Sequence, residues 1–165
     1  EPFIQGIFRD QRLNLTSGSS NVGFEVASVE KLQEPEFNKE MTFSCLSPVH
    51  IAYRNERKDR IDHLHPDHRA YENLLVQNLV SKWQSVNDKS KPDRFRKPVR
   101  FHILTEPKKN GIVIKEGRKD ATKLIGYNFD FTLQAPVELQ KVGYYAGFGK
   151  ANSQGFGCVE VINQT

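Results

Sequence analysis

The segment GYYAGFGKANSQGFG, residues 143–157, holds five glycines and four polar side chains, with two GFG triplets set five residues apart. Glycine reaches positive φ and lets a backbone approach a ligand closely. Successive exposed N–H groups in such a loop make a concave anion site. Lys150, Asn152, Ser153 and Gln154 supply further donors between the triplets. The chemistry implied is the holding of a sugar-phosphate backbone. Other glycine signatures do not fit. No Gly-Lys-Ser/Thr follows a glycine five places back, and Asn152 stands where a dinucleotide fingerprint needs its third glycine. QGFGCVEV partly matches the RNA-recognition consensus, but Cys158 and Val161 replace the stacking aromatics and only four residues follow Val161. Phe148 and Phe156 are expected to turn into the core.

A second cluster looks enzymatic. In DHLHPDH, His63, His65, Asp67 and His68 spell H-x-H-x-D-H, the zinc signature of the metallo-β-lactamase superfamily. That motif should follow an apolar strand and precede glycines. Here it follows RNERKDRI and runs into a helical pattern, and the only later histidine is His102. It is read as a histidine-rich helix start, and neither metal nor cofactor is expected. Cys45 has no adjacent base and no G-x-S-x-G elbow exists. His50 and His102 have the chemistry of general acids or bases, but nothing in their spacing assigns them that role. No residue of this chain is assigned as catalytic.

Charge points the same way as the glycines. Residues 1–40 hold four Lys/Arg against seven Asp/Glu, whereas residues 41–165 hold twenty against thirteen. NDKSKPDRFRKPVR, residues 87–100, has six basic side chains and two acidic ones. A basic surface favours an anionic partner, nucleic acid first. With 165 residues the chain suits one compact domain and part of another. No apolar run approaches membrane-spanning length. Cys45 and Cys158 make no disulfide framework and are read as free thiols of a cytoplasmic protein. The chain begins at Glu1 with its only methionine at position 41, and is read as a piece of a longer protein.

The elements that must position these groups follow from periodicity. Residues 7–15 and 22–29 read as strands joined by SGSSN, and residues 41–53 as an extended stretch interrupted by Pro48. RNERKDRIDH reads as a polar loop. HPDHRAYENLLVQNLVSKWQSV reads as a helix, with Pro66 and Asp67 in its first turn and Tyr71, Leu75, Leu79 and Trp83 every four residues. PVRFHIL alternates, placing Val99, Phe101 and Ile103 on one face and Arg96, Arg100 and His102 on the other. KLIGYNFDFTL reads as one strand with Ile125, Tyr127, Phe129, Phe131 and Leu133 buried. APVELQKVGYYA is a second helix, CVEVI a closing strand, and residues 111–114 a short extra strand. The order from Met41 is β-α-β-β-α-β. The expected class is α+β: a ferredoxin-like, four-stranded antiparallel sheet of order 4-1-3-2 with two helices on one face, spanning residues 41–165. Residues 1–40 read as the tail of a preceding ferredoxin-like domain.

Two G-h-G triplets five residues apart, near the end of such a domain, resemble the glycine-rich loop of the CRISPR-associated repeat-processing endoribonucleases of the RAMP superfamily. EPEFNKEMTFSCLSPVHI resembles that family's lead-in to its second domain. The resemblance covers essentially the whole chain. It implies a parent protein that cuts CRISPR repeat RNA without metal, leaving a cyclic phosphate and a free 5′-OH. It implies RNA contact by Gly147, Gly149, Gly155, Gly157 and Lys150, and a catalytic histidine in the first domain, which no histidine here matches. Implied partners are the repeat RNA, the preceding N-terminal domain, and other CRISPR effector proteins or a second copy of the chain. The alternative is a non-catalytic RNA-binding or protein-interaction module of the same fold.

Overall fold

The computed structural model describes residues 11–17, 20–30, 32–57, 59–87, 95, 99–115, 117–119 and 121–162. The chain divides into two compact units, Glu1–Pro35 and Glu36–Thr165. In the first, β1 (Arg12–Ser17) and β2 (Ser20–Glu25) form an antiparallel ribbon with Leu13 opposite Phe24 and Leu15 opposite Val22. These four side chains are about half exposed. A lone two-stranded ribbon has no core of its own.

The second unit is a mixed α+β domain. Its central sheet contains β3 (Glu40–Cys45), β6 (Arg100–Ile103), β9 (Asp130–Gln134) and β10 (Val159–Val161). All neighbours are antiparallel and the order is β10-β3-β9-β6. Counting these strands along the chain, the order is 4-1-3-2, as expected from the β-α-β-β-α-β element sequence. Period-2 alternation dictates the registry: Met41 lies opposite Leu133, and Phe43 opposite Phe131, which faces Ile103 on its other side. These residues share one core with the helices α1 (Tyr71–Val86) and α2 (Val137–Ala146). The four-residue spacing read from the sequence is the buried stripe of α1: Tyr71, Leu75, Leu79 and Trp83. Burying each such side chain is worth about 1.5–3 kcal/mol. Gln140, fully buried on α2, donates to the carbonyls of Leu133 at 2.6 Å and Lys39 at 3.2 Å and so ties the helix to the sheet.

Three expectations are corrected. RNERKDRIDH is not a loop but most of an antiparallel hairpin, β4 (Ala52–Asn55) and β5 (Arg60–His63). Polar pairs rather than an apolar face span it, Arg54–Asp59 and Asn55–Asp62, each at 2.7 Å. The helix begins at Tyr71, and residues 66–70 are turns closed by His68 N–H to His65 O and Tyr71 N–H to His68 O. The long alternating strand is two strands. β8 (Thr122–Asn128) pairs with β7 (Lys108–Ile114), and at Phe129 the chain leaves that hairpin to enter the central sheet as β9.

Candidate nucleic-acid interface

The glycine loop joins α2 to β10. Gly147, at φ 80°, ends the helix, and Phe148 then turns inward to full burial. Its ring sits 5.1 Å from Phe43 and 5.2 Å from Phe131, centroid to centroid. Phe156 is also buried. Both phenylalanines are core, as the sequence leads one to expect. Between them, Asn152–Gln154 make a 3₁₀ turn flanked by Ala151 and Gly155, both in the left-handed region.

The loop is tied down on all sides. Phe148 N–H donates to Gly157 O at 2.8 Å, Gly157 N–H to Pro48 O at 2.9 Å, and Lys150 N–H to His50 O at 2.8 Å. The Asn152 amide donates to Phe156 O at 2.9 Å and Phe148 O at 3.3 Å. From α1, the Lys82 ammonium donates to Gly147 O, and to Gly149 O at 2.7 Å. Burial depresses the Lys82 pKa to about 8. The loop is therefore held in one shape before any ligand arrives, which lowers the ordering cost of binding.

These bonds refine the reading of the loop as a cradle. The N–H groups of Phe148, Lys150, Gln154, Gly155, Phe156 and Gly157 already donate within the protein. Asn152 is turned inward as a structural clamp. What faces outward is the tip, Ser153, Gln154 and Gly155, together with Lys150. The Lys150 ammonium donates to Ala52 O at 2.7 Å, which holds it at the rim of a cleft of about 540 Å³.

The basic face read on β6 lies elsewhere. Arg100 and His102 are exposed, as alternation predicts, but β6 and β10 are opposite edges of the sheet. His102 borders a separate cleft of about 410 Å³ with His68, Arg69, Asp67 and Glu72. Arg96 lies outside the described residues. The structure thus gathers Gly147–Gly157 and Lys150, and leaves Arg100 and His102 apart from them.

The cleft beside Lys150 contains two residues that spacing did not assign. His50 is 4 % exposed and its Nδ1 lies 2.6 Å from Ile125 O. A carbonyl only accepts, so Nδ1 carries the proton and Nε2 the lone pair. The His63 ring is centred 5.2 Å away. Burial lowers the pKa of both imidazoles. On the other side of the loop, Gln154, Gly155 and Phe156 border an uncharged cleft of about 350 Å³ with Asn110, Asn128 and Ser47.

DHLHPDH is dispersed by its turns. His63 faces His50, His65 packs edge-on to Tyr127, and the Nδ1 atoms of His65 and His68 accept backbone N–H groups of Asp67 and Ala70. Among the described residues no group of three or more His, Cys, Asp or Glu is placed to hold a metal ion.

The fold and sequence have clear relatives. The chain is 27% identical over 138 residues to the CRISPR-associated endoribonuclease Cas6 of Pyrococcus furiosus, covering 84% of this chain and 48% of that protein. It is 28% identical over 164 residues to the CRISPR-associated endoribonuclease Cas6 1 of Methanocaldococcus jannaschii, covering 96% of this chain and 58% of the relative. The chain thus spans about half the length of these proteins. Two solved structures share the fold. That of a Cas6-related gene product from Pyrococcus furiosus superposes with a TM-score of 0.79 at 22% identity, over 98% of this chain and 62% of the other. A structure described as an RAMP protein binding different RNA substrates gives 0.76 at 20% identity, over 99% and 65%. Residues 32–161 match the model of the family described as CRISPR associated protein Cas6, C-terminal, and the chain belongs to that family.

Proposed function

We propose that the chain is the RNA-binding C-terminal part of an endoribonuclease that cuts CRISPR repeat RNA, built as a ferredoxin-like domain with both helices on one face of the sheet. The observation that carries this is the pre-ordered glycine loop, its outward tip and Lys150 set beside a basic cleft, in a member of the Cas6 C-terminal family. The ribbon of residues 12–25 is taken as the tail of a preceding domain, and that domain as the bearer of the cutting residues. The cut needs no metal: a base takes the proton of the 2′-OH, O2′ attacks phosphorus, and O5′ leaves with a proton, giving a cyclic phosphate and a 5′-OH. The RNA transcript places the work in the cytoplasm. No helix among the described residues is long and apolar enough to cross a membrane.

Gly147, Gly149, Gly155 and Gly157 shape the loop, while Lys150, Ser153 and Gln154 touch the strand. Arg100 and His102 on the opposite edge would contact a distal segment or another protein. The test is binding of repeat RNA across a salt series. Phosphate contacts release counterions, so affinity should fall steeply with salt. Lys150→Ala should weaken all sequences about equally and reduce the salt slope by about one. An affinity independent of salt and of Lys150 would overturn the reading, and would favour a protein-contact module instead.

A further inference from the structure

We propose that the cleft floored by His50 and His63 and rimmed by Lys150 is a phosphate-binding subsite, and that filling it takes up a proton. This rests on the reading of the glycine loop as an RNA contact and extends it to the adjoining cleft.

The lining is cationic by composition: Arg54, Arg60, Lys123 and Lys150 against Asp59 alone. The arginines are partly answered, Arg54 by Asp59 and Arg60 by Asp62. Lys150 is fixed through one of its three N–H groups, leaving two to aim at a ligand. The two imidazoles lie side by side beneath it. His63 Nδ1 is buried without a hydrogen bond of good geometry, although the Lys123 carbonyl lies near the ring, and a buried polar atom left poorly paired costs about 1–3 kcal/mol. A phosphate oxygen would relieve that cost where Nδ1 carries a proton, and the charge of the phosphate favours the doubly protonated ring.

The groups facing the imidazoles come from every neighbouring element. Lys150 from the loop disfavours charge on His50, and His50 itself and Lys109 from β7 disfavour it on His63. Asp62 on the β4–β5 hairpin and the Lys123 carbonyl of β8 favour charge on His63, and the Ile125 carbonyl favours it on His50. With burial added, both rings are held neutral near pH 7 in the free protein. An anion reverses the balance. The pKa of a ring beside bound phosphate rises, so binding takes up a proton. Affinity therefore grows as pH falls through the bound-state pKa and levels off below the free-state pKa.

The experiment measures binding of a fluorescein-labelled oligouridylate by anisotropy from pH 8 to about pH 5.5. In parallel the imidazole C–H resonances are followed while adding inorganic phosphate, oligouridylate, or 5′-phosphorylated oligouridylate. The expected result is a rise in affinity of roughly tenfold toward acid, the effect of a one-unit shift in one imidazole. His63→Gln should flatten this rise, while His68→Gln, on the exposed turn before α1, should leave it intact. The His50 and His63 resonances should move with the ligand. Movement with unphosphorylated oligouridylate assigns the site to an internal phosphodiester; movement only with phosphate and the 5′-phosphorylated strand assigns it to a terminal phosphate. RNA that binds with the same pH profile in His63→Gln, and leaves both imidazoles unmoved, overturns the subsite while the loop reading stands. A chain that binds no RNA at any pH removes both.

Discussion

The ring of Phe148 occupies the space where a side chain of Gly143 would be: a Cβ at Gly143 would come within 2.3 Å of Phe148 Cζ. Gly143 lies inside α2, where glycine costs about 1 kcal/mol relative to alanine. The helix accepts that cost because the phenylalanine of the first GFG triplet must pass beneath it to reach Phe43 and Phe131. Gly143→Ala should therefore destabilise despite its better propensity, by about 1–3 kcal/mol from overpacking. Calorimetry should show a fall of several degrees in Tm. Phe148→Leu, made with it, should recover part of the loss, and a double-mutant cycle would report that coupling.

The loop glycines should fall into two classes. A Cβ at Gly157 would lie 1.9 Å from Phe148 O, and one at Gly149 would lie 2.5 Å from His50 O, both backbone atoms. Gly157→Ala and Gly149→Ala should each lose the fold of the loop, seen as lost amide protection at Phe148 and Lys150. Gly155 has φ 86° but nothing within 4 Å of its built Cβ. Gly155→Ala should keep the fold at about 1–2 kcal/mol of left-handed strain. Any larger loss of RNA affinity then reports backbone approach at the tip rather than misfolding.

Lys82 links α1 to the loop through Gly147 O and Gly149 O. Lys82→Met keeps the apolar stem, leaves both carbonyls without this donor, and should cost about 1–3 kcal/mol. The pH dependence has a definite sign. The folded-state pKa is about 8 against an ordinary 10.5. Between these values the unfolded chain binds more protons, so the lysine protein gains stability as pH rises through that window. Urea titrations from about pH 8 to 10 should show the gap between the parent and Lys82→Met widening with pH. A gap that narrows would mean the carbonyls hold the ammonium more strongly than burial opposes it.

How much of this was legible depends on whether a residue's role is set by its neighbours in sequence. Phe101 with Ile103, and Phe129, Phe131 and Leu133, alternate because one face of each strand meets the core. The same alternation ran unbroken from Ile125 to Leu133 and so hid the change of partner from β7 to the central sheet at Phe129. The β4–β5 hairpin was invisible because RNERKDR has no clear apolar face; the polar pairs Arg54–Asp59 and Asn55–Asp62 span it. Arg100 and His102 were rightly read as exposed, and the expected order 4-1-3-2 already sets β6 at the edge opposite β10; charge alone had grouped them with the loop. Lys82 reaches carbonyls 65 and 67 residues away, and the His50–His63 pair forms only when the β4–β5 hairpin folds. No local pattern carries such contacts.

The two thiols offer an independent check of the sheet. Cys45 ends β3 opposite Val159 on β10, one residue past Cys158. Burial, aided by the nearby Asp130 carboxylate, pushes the Cys45 thiol up to about 11, while Cys158 is exposed. The thiolate is the reactive form, so Cys45 should be nearly inert at neutral pH. An aromatic disulfide reagent should label one thiol per chain quickly and the second only on unfolding. Cys158→Ser should remove the fast phase, and Cys45→Ser should leave it unchanged. Fast labelling of Cys45 in the folded protein would mean that the end of β3 opens locally, and that the pairing of β10 with β3, which anchors the glycine loop, is looser than its hydrogen bonds imply.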